Sequence, residues 1–408
     1  MKKKYKILLS AYSVNPFSGS EPAAGWKWPI EISKISRFNV SVITQKKNKI
    51  LINKFLQDKN IKINFIYYDL PYYFKFLKKK WFLAEHKFSH LYYNLWQFGA
   101  FLYTKKINTK YKFDIIHHIS IGGIRLPSFM GLLNSHFILG PLGGGENIKY
   151  SLRKKFGIKG FLKSILRDLS NLFLKIDPLM IMTFFTAKDI YARTKETKNI
   201  IPKIFHGKTK VLSEVPLLNN NKIKNKKKFK KFKILFVGRL IYWKGVDLVL
   251  ETFKKIYLSN KNVSLTIIGD GSEKKRFVKI SNTLGISNKI KWINKVQYEK
   301  MNQIYQQHDL FFFPSYHDAG GYVLYEASHN QLPVVALDTG AGNYLLNKYK
   351  KYQLVSVLQT RSEIINKFYN NINLLIKNKK LRYKIGLQNK KNLNNHLLSK
   401  KIKVVYNF

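Results

Sequence analysis

The chain predicts an α/β architecture of two βα domains, each built on a parallel sheet. Three observations carry that expectation. Short β-branched or aromatic runs alternate with longer helical patterns, the alternation breaks at a lysine-rich stretch and then restarts, and strand ends repeatedly run into glycine turns. The length of 408 residues suits two domains, and a composition 45% apolar and 15% aromatic can fill two cores while excluding a disordered chain.

In chain order, residues 6–10, 38–44, 61–68, 114–118 and 136–140 read as strands, and 22–35 has helical length after the turn Gly19-Ser20-Glu21. These elements fall in a first domain over 1–218. Residues 219–231 (NNNKIKNKKKFKK) are polar, charged and without apolar periodicity, which marks a linker. A second domain over 232–385 carries strands at 233–237, 264–268, 290–293, 310–314 and 332–337. The remainder, 386–408, reads as a basic helical tail that packs back toward the first domain. Two such domains face each other across a cleft, and ligands bind such sheets beyond the carboxyl ends of the strands.

Composition narrows the function classes. With no cysteine, disulfides and thiolate metal sites are excluded, and a reducing compartment is the natural setting. Lys and Arg total 74 against 22 acidic residues, a net charge of +52. Much of this excess reads as solvated lysine faces, and the rest suits a polyanionic partner, nucleic acid or an anionic membrane surface. No run of 18 apolar residues occurs, and the start of the chain reads as a first strand in place of a signal peptide. The expectation is a protein on the cytoplasmic side.

The chemistry concentrates after 232. The strand at 233–237 runs into Gly238-Arg239-Leu240 and then Trp243-Lys244-Gly245. Arg offers a planar fork and Lys a point charge, a pairing suited to a diphosphate. Next comes Ile267-Ile268-Gly269-Asp270-Gly271, a buried strand closed by a glycine turn. Third is Pro314-Ser315-Tyr316-His317-Asp318-Ala319-Gly320-Gly321-Tyr322, with Glu326 roughly two turns into the helix that follows. A helix start offers unpaired N–H groups to an anion, and a carboxylate accepts paired bonds from vicinal hydroxyls. The strand Leu332-Pro333-Val334-Val335-Ala336-Leu337 closes on another glycine turn.

This order of motifs resembles the family 4 retaining glycosyltransferases of GT-B architecture. The first half agrees: Gly19-Ser20-Glu21, the pair His117-His118, and Gly140-Pro141-Leu142-Gly143-Gly144-Gly145-Glu146 look like segments of a subgroup with bacterial surface-polysaccharide members. The resemblance implies a nucleotide-sugar donor, a glycan or lipid-linked acceptor, retention of anomeric configuration by front-face attack, and hexosyl transfer without a bound metal or other cofactor. Arg239 and Lys244 match the pair on the donor diphosphate and would neutralise the departing nucleotide. Glu326 matches the acid on the ribose hydroxyls. Asp318 stands where the family usually has a glutamate on the donor sugar. Gly19 and Gly238 match the phosphate-approaching turns, and Gly320, Gly321 and Tyr322 the helix start facing sugar or phosphate. A histidine at the end of a central strand lies near the reacting centre. Alternation lets only one of His117 and His118 line the cleft, and His118 is nearer the strand's end.

Two other readings remain open from residues alone. A nucleic-acid-binding protein would account for the charge, but no helix-turn-helix, zinc-finger or aromatic RNA-binding signature is present. A sugar-nucleotide isomerase would share the fold. Two stretches suggest peripheral attachment to the inner face of the cytoplasmic membrane. Residues 71–82 (PYYFKFLKKKWF) mix aromatic rings with lysines, and 161–176 place Phe161, Leu162, Ile165, Leu166, Leu169, Leu172, Phe173 and Ile176 on one helical stripe.

Overall fold

The computed structural model describes residues 4–57, 59–78, 90–217, 231–346 and 348–407, the side chains of 75, 76 and 78 excepted. The first unit comprises Met1–Gly145, Arg167–Leu218 and Leu398–Phe408. Its sheet contains β1 (Tyr5–Ser10), β2 (Phe38–Thr44), β3 (Ile63–Tyr67), β4 (Ile115–His118), β5 (His136–Leu142), β6 (Asp189–Ala192) and β7 (Thr209–Val211). Every pairing is parallel, in the order β3-β2-β1-β4-β5-β6-β7. Alternate residues along each strand feed opposite cores. Ile7, Leu9, Val42, Ile115 and Ile138 join one cluster, while Leu8, Ile43, Ile116 and Leu139 join the other. Burial on both faces is why these strands read as continuous apolar runs.

The second unit comprises Glu146–Leu166 and Asn219–Leu397. Its sheet holds β8 (Phe232–Val237), β9 (Val263–Ile268), β10 (Ile290–Ile293), β11 (Leu310–Phe313), β12 (Val334–Leu337) and β13 (Leu354–Val355), again all parallel, in the order β10-β9-β8-β11-β12-β13. Both sheets therefore reverse strand order at one place, between β1 and β4 and between β8 and β11. Loops leaving the two central strands there diverge and open a crevice within each unit.

The units depart from the boundaries read in sequence at two places. Residues 146–166 belong with the second unit because Phe156 packs on Tyr242 and Tyr316 at ring distances of 5.1 and 5.0 Å, and Arg276 donates to Lys155 O at 3.2 Å. At the other end the return to the first unit starts at Leu398 and not at 386. Asn389 Nδ2 ties the helix Lys379–Asn392 to Leu332 O and Gln353 Oε1, whereas Lys401 donates to Val215 O at 2.7 Å and Leu398 N to Leu217 O at 2.9 Å. Residues 219–230 of the linker, and 79–82 of the aromatic-lysine stretch, lie outside the described residues. Among the described residues no single helix is long and apolar enough to cross a membrane.

Candidate functional site

In the second unit, the loops after β8 and β11 bring Arg239, Lys244 and Asp318 together, and Glu326 lies on the helix that follows. The turn Tyr242–Lys244 follows β8 and ends on Gly245, whose φ of 69° is left-handed. A Cβ there would stand 1.9 Å from Pro314 O, so only glycine lets this turn lie against the end of β11. Tyr316 N and Ser315 Oγ then bond Trp243 O at 2.9 and 3.2 Å, which locks the two loops together. Beneath them the turn after β9 braces the first loop. Leu240 N bonds Asp270 O at 2.9 Å, and a Cβ on Gly269 would meet Gly238 O at 1.8 Å.

This bracing places Lys244 Nζ directly on Asp318, an ion pair of largely buried side chains. The other Asp318 oxygen accepts from Gly321 N at 3.0 Å, at the start of the helix Tyr322–His329. Burial pushes the Asp318 carboxyl up, but Lys244, the Gly321 N–H and the nearby Arg239 outweigh it and hold the group below its ordinary value. Arg239 is exposed and stands 5.7 Å from the Trp243 ring, which stacks on His317 at 5.1 Å and 16°. Glu326 accepts from Tyr305 OH at 2.8 Å. Burial and the neighbouring Glu326 carboxylate push the Tyr305 hydroxyl well above its ordinary range, so it remains a donor.

Gly238, Gly320 and Gly321 lie on the same loops, and Tyr322 begins the helix. The two loops thus carry the exposed Arg239, Lys244 and Asp318 at a helix start, with Glu326 further along that helix, a set that can receive a diphosphate and hydroxyls.

The first unit carries the other selected residues. Gly19 caps the helix Ser20–Ser33 from an extended conformation, and the left-handed residue is Ser20, with φ 61°. Glu21 in the first turn bonds Arg193 at 2.6 Å, and Arg193 also pairs with the fully buried Glu214 at 2.9 Å. Burial raises the Glu214 carboxyl despite Arg193. Burial also brings the Lys401 ammonium down to about 7, against the attraction of Glu214.

His117 and His118 end β4, and both are buried. His117 Nε2 faces Gly140 O at 2.8 Å, and because a carbonyl only accepts, this nitrogen carries the proton; Nδ1 then accepts from Tyr406 OH at 2.7 Å. His118 Nε2 meets Tyr93 OH at 3.3 Å, while Nδ1 is buried with no hydrogen-bond partner among the described residues. Burial lowers the two imidazoles to about 3 and about 4. His117 is therefore a satisfied tie between β4, the Gly140 loop and the end of the chain, whereas His118 keeps one nitrogen available.

Several residues with a part in this arrangement carried no signal in the sequence. Arg361 pairs with buried Asp247 at 2.9 Å and Glu251 at 2.7 Å and donates to Tyr316 OH at 2.9 Å, fixing the segment that carries Asp318. It lies far along the chain from its partners, as Tyr406 does from His117, and nothing in residue order links them. Trp243 and Tyr305 fall within or near the motifs, but their roles depend on ring and hydroxyl placement.

The sequence model of the family Glycosyl transferases group 1 matches residues 219–392. An uncharacterized glycosyltransferase of Methanocaldococcus jannaschii is 32% identical over 107 residues, 26% of this chain and 27% of that protein. The chain thus spans about a quarter of that curated relative. Among solved structures, HepE of Anabaena in complex with UDP and glucose superposes with a TM-score of 0.61 at 14% identity, covering 98% of each chain. WaaG, a glycosyltransferase involved in lipopolysaccharide biosynthesis, gives 0.60 at 13%, covering 98% of this chain and 100% of that one. At these identities the likeness is one of fold, and that fold is GT-B.

Proposed function

We propose that this chain, which carries a group 1 glycosyl transferase domain at residues 219–392 on a GT-B fold, moves a hexosyl group from a nucleotide sugar to a glycan acceptor with retention of anomeric configuration. The observation that carries the reading is the meeting of Arg239, Lys244 and Asp318 at the loops after β8 and β11, with Glu326 on the helix that follows. In this reading the donor diphosphate draws Lys244 away from Asp318 and meets the exposed Arg239. The two cations stabilise negative charge as the nucleoside diphosphate leaves, and no metal is needed there. Release of Lys244 frees one Asp318 oxygen to accept from a donor-sugar hydroxyl, while its other oxygen stays on Gly321. Glu326 receives the ribose hydroxyls, with Tyr305 holding its second side.

The acceptor attacks the sugar on the face the leaving group departs from, and the leaving phosphate helps take its proton. His118, the histidine with a spare nitrogen, serves the first unit's part of the reaction; His117 serves packing. The Gly19 turn approaches the acceptor.

A lipid-linked glycan in cell-surface polysaccharide synthesis, held at the inner face of the cytoplasmic membrane, is the acceptor that the Gly19–Glu21 and Gly140–Glu146 segments and the net charge favour. Product analysis of the protein with a nucleotide sugar, with and without a lipid-linked oligosaccharide, tests the reading. Transfer that requires acceptor supports it, and conversion of the nucleotide sugar without acceptor refutes it.

A further inference from the structure

The helix Gly157–Phe173 is turned inside out. One polar side faces the protein: Ser164 and Asn171 are 3% and 6% exposed, Arg167 Nη2 donates to Gly144 O at 2.8 Å, and Asn171 Nδ2 donates to the same oxygen at 3.4 Å. Asn171 Oδ1 in turn accepts from Arg125. On the opposite side Leu162, Leu166, Leu169, Leu172 and Phe173 are 44% to 66% exposed, and Ile176 just past the helix is 69% exposed. At 3.6 residues per turn, the leucines share one stripe and 164, 167 and 171 the other. An ordinary surface helix turns its apolar stripe to the core, so an outward stripe of this size marks a surface built to be covered.

We propose that this stripe docks the protein on an anionic lipid bilayer, with the leucines entering the acyl boundary and flanking lysines meeting lipid phosphates. Charge selects this occupant. Lys154 and Lys155 just before the helix and Lys175 just after it are exposed, and a chain of net charge +52 complements an anionic surface. A second copy would bring the same charge and the same lysines to the contact and be repelled. The stripe is purely aliphatic and aromatic, with no side-chain hydrogen-bonding group to select a protein partner. The polar side is already bonded to the protein, which leaves the helix oriented along the bilayer plane. The inference deepens the membrane part of the proposed function by giving attachment a defined face.

Vesicle co-sedimentation of the full chain tests it, using phosphatidylcholine vesicles with and without phosphatidylglycerol, alongside thermal melts and titration with nucleoside diphosphate. The wild-type protein is expected on the anionic vesicles and released by salt. Leu169→Asp with Leu172→Asp should lower partition by roughly thirtyfold or more, with melting and nucleotide affinity unchanged. Replacing Lys154, Lys155 and Lys175 by Gln should lower it by roughly fivefold per lysine and flatten the salt dependence.

Unchanged partition of the aspartate variant, or equal binding to both vesicle types, overturns the assignment. So does a lowered melting temperature in that variant, which would mean the chain's own segments cover the stripe, or a doubled mass in solution that the variant abolishes. Failure of the wild-type protein to bind any nucleotide would instead count against the transfer reading and leave the vesicle result standing.

Discussion

Replacing Lys244 separates a donor-binding cation from a structural partner of Asp318. The Lys244 and Asp318 side chains are 11% and 22% exposed, so the pair is largely withdrawn from water. In the proposed reading, Lys244→Ala removes one of two cations from the diphosphate. A lost electrostatic contact to developing charge costs about 2–4 kcal/mol, which at 1.36 kcal/mol per decade slows turnover roughly 30- to 900-fold. The same change strands the Asp318 carboxylate. Breaking a fully buried pair costs about 3–5 kcal/mol of stability, and partial exposure here reduces that to about 1–3 kcal/mol. Lys244→Ala combined with Asp318→Asn takes away the stranded charge, so stability should recover while nucleotide binding and turnover stay low. Calorimetric titration with nucleoside diphosphate, initial rates of nucleotide-sugar consumption and thermal melts of the three proteins provide the assay. Near-normal rates in Lys244→Ala, or recovery of nucleotide affinity in the double variant, would refute the reasoning and make Lys244 only the partner of Asp318.

Three further outcomes follow from other parts of the molecule. Glu326→Gln should weaken nucleoside diphosphate binding roughly tenfold, the worth of one charge-assisted contact, and should abolish discrimination against the 2′,3′-dideoxy nucleotide; retained discrimination in a titration would move the ribose contact elsewhere. His117 and His118 are held neutral with folded values of about 3 and about 4, below the ordinary 6.5, so the unfolded chain binds more protons below that pH. Their contribution is whole above pH 6.5 and is lost as pH falls, by roughly 2 kcal/mol per histidine at pH 5, which denaturant melts of the wild-type and His118→Asn proteins across this range would register as a shallower slope in the variant. Gly245→Ala should destabilise the second unit by roughly 3 kcal/mol or more, since it sets a side chain in left-handed backbone against Pro314 O; an unchanged denaturation midpoint would contradict that packing.

How far residue order reaches can be seen element by element. The long apolar strands were legible because burial on both faces leaves unbroken runs such as Ile7–Leu9 and Phe311–Phe313. β7 and β13, of three and two residues, are too short to stand out from their surroundings. The glycine turns after β8, β9 and β11 were visible as punctuation. That Gly269 exists to admit the Gly238 carbonyl was not, because close approach is a property of two loops together.

Arg239, Lys244, Asp318 and Glu326 could be selected from motif order, yet not the Lys244–Asp318 pair or the Tyr305 hydroxyl on Glu326. The helix Gly157–Phe173 had a plain apolar periodicity, and periodicity alone does not say which side meets water. Its buried Ser164 and Asn171 decide that.

The central claim is that the β8–β11 crevice binds a nucleotide sugar through Arg239 and Lys244. The most direct measurement is calorimetric titration of the wild-type, Arg239→Ala and Lys244→Ala proteins with UDP-, GDP- and ADP-sugars and with a single-stranded oligonucleotide, all at physiological salt. The account predicts that one nucleotide class binds the wild-type protein with a Kd of roughly 1 μM to 1 mM, that either substitution weakens it at least roughly tenfold, and that the oligonucleotide shows no comparable affinity. Binding of oligonucleotide in preference to every nucleotide sugar, or nucleotide-sugar affinity indifferent to both substitutions, would contradict it.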